Sequence, residues 1–156
     1  MLRLVLAVLC LALAAACGGD NAKPQVGFTA GAASAKANPI QYCDQDLKQC
    51  AADPAAVVKL AVPRATPVQV SVPEEVALTP WSVVFTYVNA AGERIDGRSP
   101  VIAAGKQRDF TLALPAATDQ LVRAEVQQFA AGLLADPGGG VSFPIRASWA
   151  LVAATS

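Results

Sequence analysis

Apolar and polar residues alternate with a period of two along most of this chain. The clearest run is Pro80 to Val88, where Trp81, Val83, Phe85 and Tyr87 fall on one face and Ser82, Val84, Thr86 and Val88 on the other. Four large side chains on one face of a β-branched-rich run predict a central strand facing a hydrophobic core. Pro80 precedes the run, where its missing N–H costs the ladder least. Asn89-Ala90-Ala91-Gly92 closes it with turn chemistry. The same alternation recurs at Val26, Phe28 and Ala30, at Val68, Val70 and Val72, and at Phe110, Leu112 and Leu114. It returns at the end through Ile145, Ala147, Trp149 and Leu151. Shorter runs are Ile40 with Tyr42, and Val58 with Leu60 and Val62.

Between these runs, Ala32 to Pro39 is small and polar and reads as loop. Arg94 to Ile102 is weaker, and Gly97 and Pro100 mark it as an irregular edge strand. Gln120 to Leu134 fits two patterns. As a strand it separates Val122, Ala124 and Val126 from Arg123, Glu125 and Gln127. As a short helix near residues 120–134 it lines up Val122, Val126, Phe129 and Leu133, with Thr118 or Asp119 as cap. Strands on either side favour the first reading. The pattern as a whole predicts an all-β fold, an immunoglobulin-like β-sandwich of about seven to nine short strands.

The first residues follow another rule. Met1-Leu2-Arg3 carries one positive charge, Leu4 to Leu13 is apolar, and Ala14-Ala15-Ala16-Cys17 ends the run ahead of Gly18-Gly19. This is the layout of a secretory signal, and the apolar part is shorter than the roughly 20 residues that span a bilayer. The cysteine behind small residues resembles the lipobox of bacterial lipoproteins, in which the thiol is lipidated before the signal is removed. Alanine stands three places before the cysteine, where leucine is commoner. An ordinary signal peptide cut near Ala16 is the alternative. The resulting division is a lipoprotein signal peptide at residues 1–16, a lipid-anchored tether at 17–24 and a sandwich domain at 25–156.

The chain has 156 residues, 12 of them basic and 12 acidic, and no histidine. Loss of Arg3 with the signal leaves a slightly acidic chain, with no electrostatic case for nucleic acid. Without histidine there is no Ser-His-Asp or Cys-His mechanism and no imidazole metal site. Of the four cysteines, Cys10 leaves with the signal and Cys17 takes the lipid. Cys43 and Cys50 then remain, close together in an oxidising compartment, and a disulfide between them is expected. Zinc would need more thiolates or imidazoles than the chain has, and no metal or cofactor is expected.

Other constellations are weaker. Glu74 and Glu75 are adjacent and point apart on an extended chain. Asp44, Asp46 and Asp53 surround the cysteine loop without the glycine and glutamate of a calcium loop. Ser34-Ala35-Lys36 lacks the spacing of a serine–lysine hydrolase, and Gly138 to Gly140 lack the Lys-Ser/Thr of a phosphate loop. Arg94, Arg98, Lys106 and Arg108 gather in sequence around the edge strand. They are the best candidate surface for an anionic partner or lipid headgroups, against the plainer reading of a solvated edge that resists pairing.

Several short motifs, Tyr42-Cys43-Asp44, Pro67 to Val76, Pro80-Trp81, Arg98-Ser99-Pro100 and Glu125-Val126-Gln127, accompany the lipobox. Together they resemble a family of small actinobacterial lipoproteins known as a domain of unknown function. The resemblance implies a localisation and a fold and offers no active-site residues. The expected function is a lipid-anchored binding or scaffolding domain on the extracytoplasmic face of the cell membrane, not an enzyme, whose partner is an envelope protein or lipid. A lipid or small-ligand carrier with a cavity between the sheets is the alternative.

Overall fold

The computed structural model describes residues 22–132, 134–135 and 141–154. The signal segment, Cys17, Leu133 and Gly138 to Gly140 lie outside the described residues. In chain order the strands are β1 (Val26–Ala30), β2 (Ala33–Ala37), β3 (Gln41–Cys43), β4 (Cys50–Ala52), β5 (Val58–Ala61), β6 (Val68–Ser71), β7 (Trp81–Val88), β8 (Arg94–Arg98), β9 (Asp109–Leu112), β10 (Gln120–Phe129), β11 (Leu134–Ala135), β12 (Val141–Ser142) and β13 (Ile145–Ala154). A 3-10 turn at Pro54–Ala56 and one helical turn, α1 (Glu74–Ala77), complete the described elements.

Two sheets form the sandwich. One has the order β2-β1-β6-β9, the other β4-β3-β13-β10-β7-β8, with β5 beside the far half of β13. Pairing is antiparallel except for β5, which runs parallel to β13 from Val58 opposite Leu151 to Ala61 opposite Ala154. β11 and β12 form a small ribbon of their own.

The expected sandwich is therefore present, with more strands among the described residues than the alternation suggested, from two to ten residues long. Ala33–Ala37, read as loop, is a strand whose Ala33, Ala35 and Ala37 pack toward the core. Its alanines are too small to announce a buried face, and antiparallel pairing with β1 makes it a strand. The helix considered near residues 120–134 is not formed where the chain is described. Gln120–Phe129 is a strand bonded to β7 on one side and β13 on the other, and those two ladders satisfy its backbone. The helical turn that does form is α1, over Glu74 and Glu75. Gln128, 1% exposed, donates from Nε2 to the carbonyls of Glu75 at 3.3 Å and Val76 at 3.2 Å. The Trp81–Val88 run faces the core as expected but is not central. It lies second from the edge, next to β8, while β10 and β13 hold the middle of the sheet.

One core fills the space between the sheets. Val26, Phe28, Val68 and Val70 enter from the first sheet, and Trp81, Val83, Val126, Trp149 and Leu151 from the second, all at or below 1% exposure. The two indoles tie down different parts of the chain. Trp149 Nε1 donates to the Pro24 carbonyl at 2.8 Å, across 125 residues of sequence. Trp81 Nε1 donates to the Gln107 carbonyl at 3.3 Å. Pro24 is buried and Lys23 is exposed, so the packed fold begins at Pro24.

Candidate functional site

The outer face of the larger sheet carries a cleft of about 430 Å³ lined largely by polar side chains. It follows from strand register. Arg98 of β8 stands opposite Val84, which stands opposite Glu125 of β10; in the next row Asp96, Thr86 and Arg123 line up in the same way. Alternation turns these residues outward while Val83 and Val126 turn inward. Neighbouring side chains across strands lie roughly 5 Å apart, so Arg98 and Glu125 face each other across the floor made by Val84.

Of the four charged side chains in the cleft, Arg123 and Glu125 are paired with each other, while Asp96 is held only by a hydroxyl. Arg123 holds Glu125 at 2.9 Å, with Glu125 the more buried of the two. Gln127 Nε2 donates to the same carboxylate at 3.3 Å. Thr86 Oγ1 donates to Asp96 Oδ1 at 2.6 Å. Among the described residues Arg98 makes no ion pair and no side-chain hydrogen bond. The cleft thus offers one free guanidinium beside a set of anchored carboxylates, a chemistry suited to gripping a carboxylate or phosphate group in bidentate fashion.

The four cations grouped by sequence fall into two sets. Arg94 and Arg98 share the exposed outer face of β8, an edge strand as expected. Lys106 and Arg108 lie on the loop beyond it and line a different cleft, of about 410 Å³, with Glu74, Leu78 and Gln107. Arg94 pairs with Val88, at the opposite end of β7 from Trp81, which bridges to Ile102 before that loop. Seven residues of strand separate those two ends by roughly 20 Å.

Cys43 and Cys50 are joined, as the spacing predicted, and stand opposite each other in the β3–β4 hairpin. The nearby carboxylates make local contacts, two of them to backbone N–H groups. Asp44 Oδ1 accepts from the Lys48 N–H at 2.8 Å, Asp53 Oδ1 accepts from the Ala55 N–H at 3.1 Å, and Asp46 lies 3.8 Å from Lys48 Nζ. Among the described residues no three potential metal-ligating side chains converge. Ser34 and Lys36 project from the exposed positions of β2 with no hydrogen bond between them. The residues that sequence reasoning missed are Thr86, Asp96 and Arg123. Arg123, Glu125 and Gln127 already shared a face in the strand reading, but their meeting with β8 depends on the register.

Among the described residues no helix is long and apolar enough to cross a membrane. The fold so far defines a two-sheet β-sandwich with a disulfide-closed hairpin. The chain belongs to the family described as Protein of unknown function (DUF2771), which matches residues 19–154. No curated protein and no solved structure matches it.

Proposed function

We propose that this chain is a lipid-anchored domain on the extracytoplasmic face of the cell membrane, which binds or scaffolds another envelope component and carries out no reaction of its own. The observation that carries this reading is the short distance between the lipobox-like Cys17 and the packed fold. Pro24 is already buried and bonded to Trp149. Only residues 18–23 intervene, so Pro24 lies at most about 25 Å of extended chain from Cys17. A domain held that close works at the membrane surface, and stable anchoring follows once more than one acyl chain is attached.

The partner contact proposed is the outer cleft around Arg98, with Arg94 beside it, meeting an anionic group. A carrier role receives less support, because Trp81, Trp149, Phe28 and Leu151 are among the largest fully buried side chains and occupy the space between the sheets. In the test, Cys17→Ala should leave the precursor uncut by the lipoprotein peptidase and without acyl chains. Membrane association of a Cys17→Ala protein whose signal has been removed would defeat the anchor. Arg94→Glu/Arg98→Glu in the anchored protein should reduce cross-linking to envelope partners in native membranes, and unchanged cross-linking would remove this cleft as the contact.

A further inference from the structure

The large hydrophobic side chains exposed among the described residues are Leu78 at 64%, Val101 at 53% and Phe143 at 51%. They are far apart in sequence, yet the topology brings them to one end of the sandwich. Leu78 caps α1, three residues before β7 begins at Trp81. Val101 precedes Ile102, which bridges to Trp81. Phe143 lies 6.0 Å, centroid to centroid, from Phe129, at the end of β10 next to Trp81's partner Gln128. The chain enters at this same end. Lys23 sits over the Tyr42 ring at 5.7 Å, and Tyr42 pairs with Ala147 near the start of β13. Gln25 and Arg108 line one cleft, and the Gly105 N–H donates to the Ala77 carbonyl at 2.7 Å.

We infer that this end of the domain is seated on the bilayer itself, with Leu78, Val101 and Phe143 in the headgroup region and Lys23, Lys106 and Arg108 among anionic headgroups. The inference rests on the proposed anchor and deepens it by assigning an orientation. Three observations select lipid as the occupant. The segment leading to Cys17 leaves the fold here and is too short to let this end move far from the membrane. Leu78 and Val101 lie exposed beside Lys106 and Arg108, with Glu74 on the same rim, and the apolar pair and the two cations match the apolar and anionic layers of a membrane surface. The opposite end, formed by the turns at residues 31–32, 63–67, 89–93 and 113–118, exposes no large hydrophobic among the described residues. Docking this way leaves the turn at Asn89 to Gly92 pointing away from the lipid and the Arg98 cleft open at the side.

The test uses the full lipidated chain, reconstituted into phosphatidylethanolamine–phosphatidylglycerol vesicles with brominated acyl chains. With Cys17 acylated and Cys43 bonded to Cys50, a fluorophore can be placed on Val101→Cys or, at the far end, on Ala91→Cys. Flotation reports the anchor, and quenching by bromine reports the depth of the labelled end. Several-fold stronger quenching at Val101 than at Ala91 is expected, and it should fall to the Ala91 level in a Leu78→Glu/Phe143→Glu background that still floats. A chain that floats with both labels equally quenched overturns the docking and leaves the anchor intact. Strong Val101 quenching that survives the double substitution overturns the role of these side chains. A chain that does not float defeats the anchor and the docking together.

Discussion

Replacing Trp149 by phenylalanine should show how strongly the entry of the chain is tied to the core. The indole is fully buried and its N–H is bonded to the carbonyl of Pro24, which is buried too. Phenylalanine keeps the aromatic contact but leaves that carbonyl with neither a donor nor water. A buried acceptor stranded in this way costs about 1–3 kcal/mol, and the smaller ring adds a packing loss. Trp81→Phe is the control, since Trp81 is as deeply buried and suffers the same reduction in ring size. Its N–H reaches Gln107, an exposed residue, at the longer distance of 3.3 Å, so water can replace the lost donor. Denaturant unfolding should therefore place Trp149→Phe below Trp81→Phe by about 1–2 kcal/mol. Proteolysis next to Lys23 should accelerate in the first variant only. Equal midpoints at equal slope, with equal cleavage, would refute the claim that the Trp149–Pro24 bond closes the fold.

Gly97 lies opposite Phe85 in the β7–β8 ladder, and a Cβ there would run into the tip of the Phe85 ring. Gly97→Ala should cost about 1–3 kcal/mol by overpacking, and less in a Phe85→Leu background; a cost unchanged by that background would locate the problem elsewhere. Cys43 and Cys50 should resist thiol reagents until reduced, and Cys43→Ser/Cys50→Ser should lower stability by about 2–3 kcal/mol for so short a loop. An unchanged denaturation midpoint in that variant would contradict this.

Where the alternating residues are large, the pattern alone was enough to place strands. Val26 to Ala30, Val68 to Ser71 and Trp81 to Val88 carry their buried face in their own side chains, whatever they pair with. β2 was hidden because its inward residues are alanines, which contribute too little buried area to be recognised before a partner is known. β10 was ambiguous because Val122 and Val126 satisfy both periods, and only the ladders from β7 and β13 decide between them. The parallel docking of β5 on β13 left no local trace. The cleft was half legible: Arg123, Glu125 and Gln127 showed a polar face, but Asp96, Thr86 and Arg98 reach it only through register. Proximity in sequence misled for the cations, because the path from Arg94 to Lys106 runs the length of a strand.

The position of β13 has a consequence for when this protein can fold. Residues 145–154 bond β10 along one edge and both β3 and β5 along the other, and they supply the indole that fastens Pro24. Until that strand arrives, the β3–β4 hairpin and β5 have no sheet to join and Pro24 has no indole to bond, although β2, β1, β6 and β9 can already pair with one another. Long-range pairing of this kind is slow to form and late to reward the chain. A molecule emerging from its amino end would leave the hairpin, β5 and its entry at Pro24 undocked until β13 is out. Under the anchoring proposed above, that delay would suit passage across a membrane, since the last-formed strand is the one that docks the hairpin, β5 and Pro24.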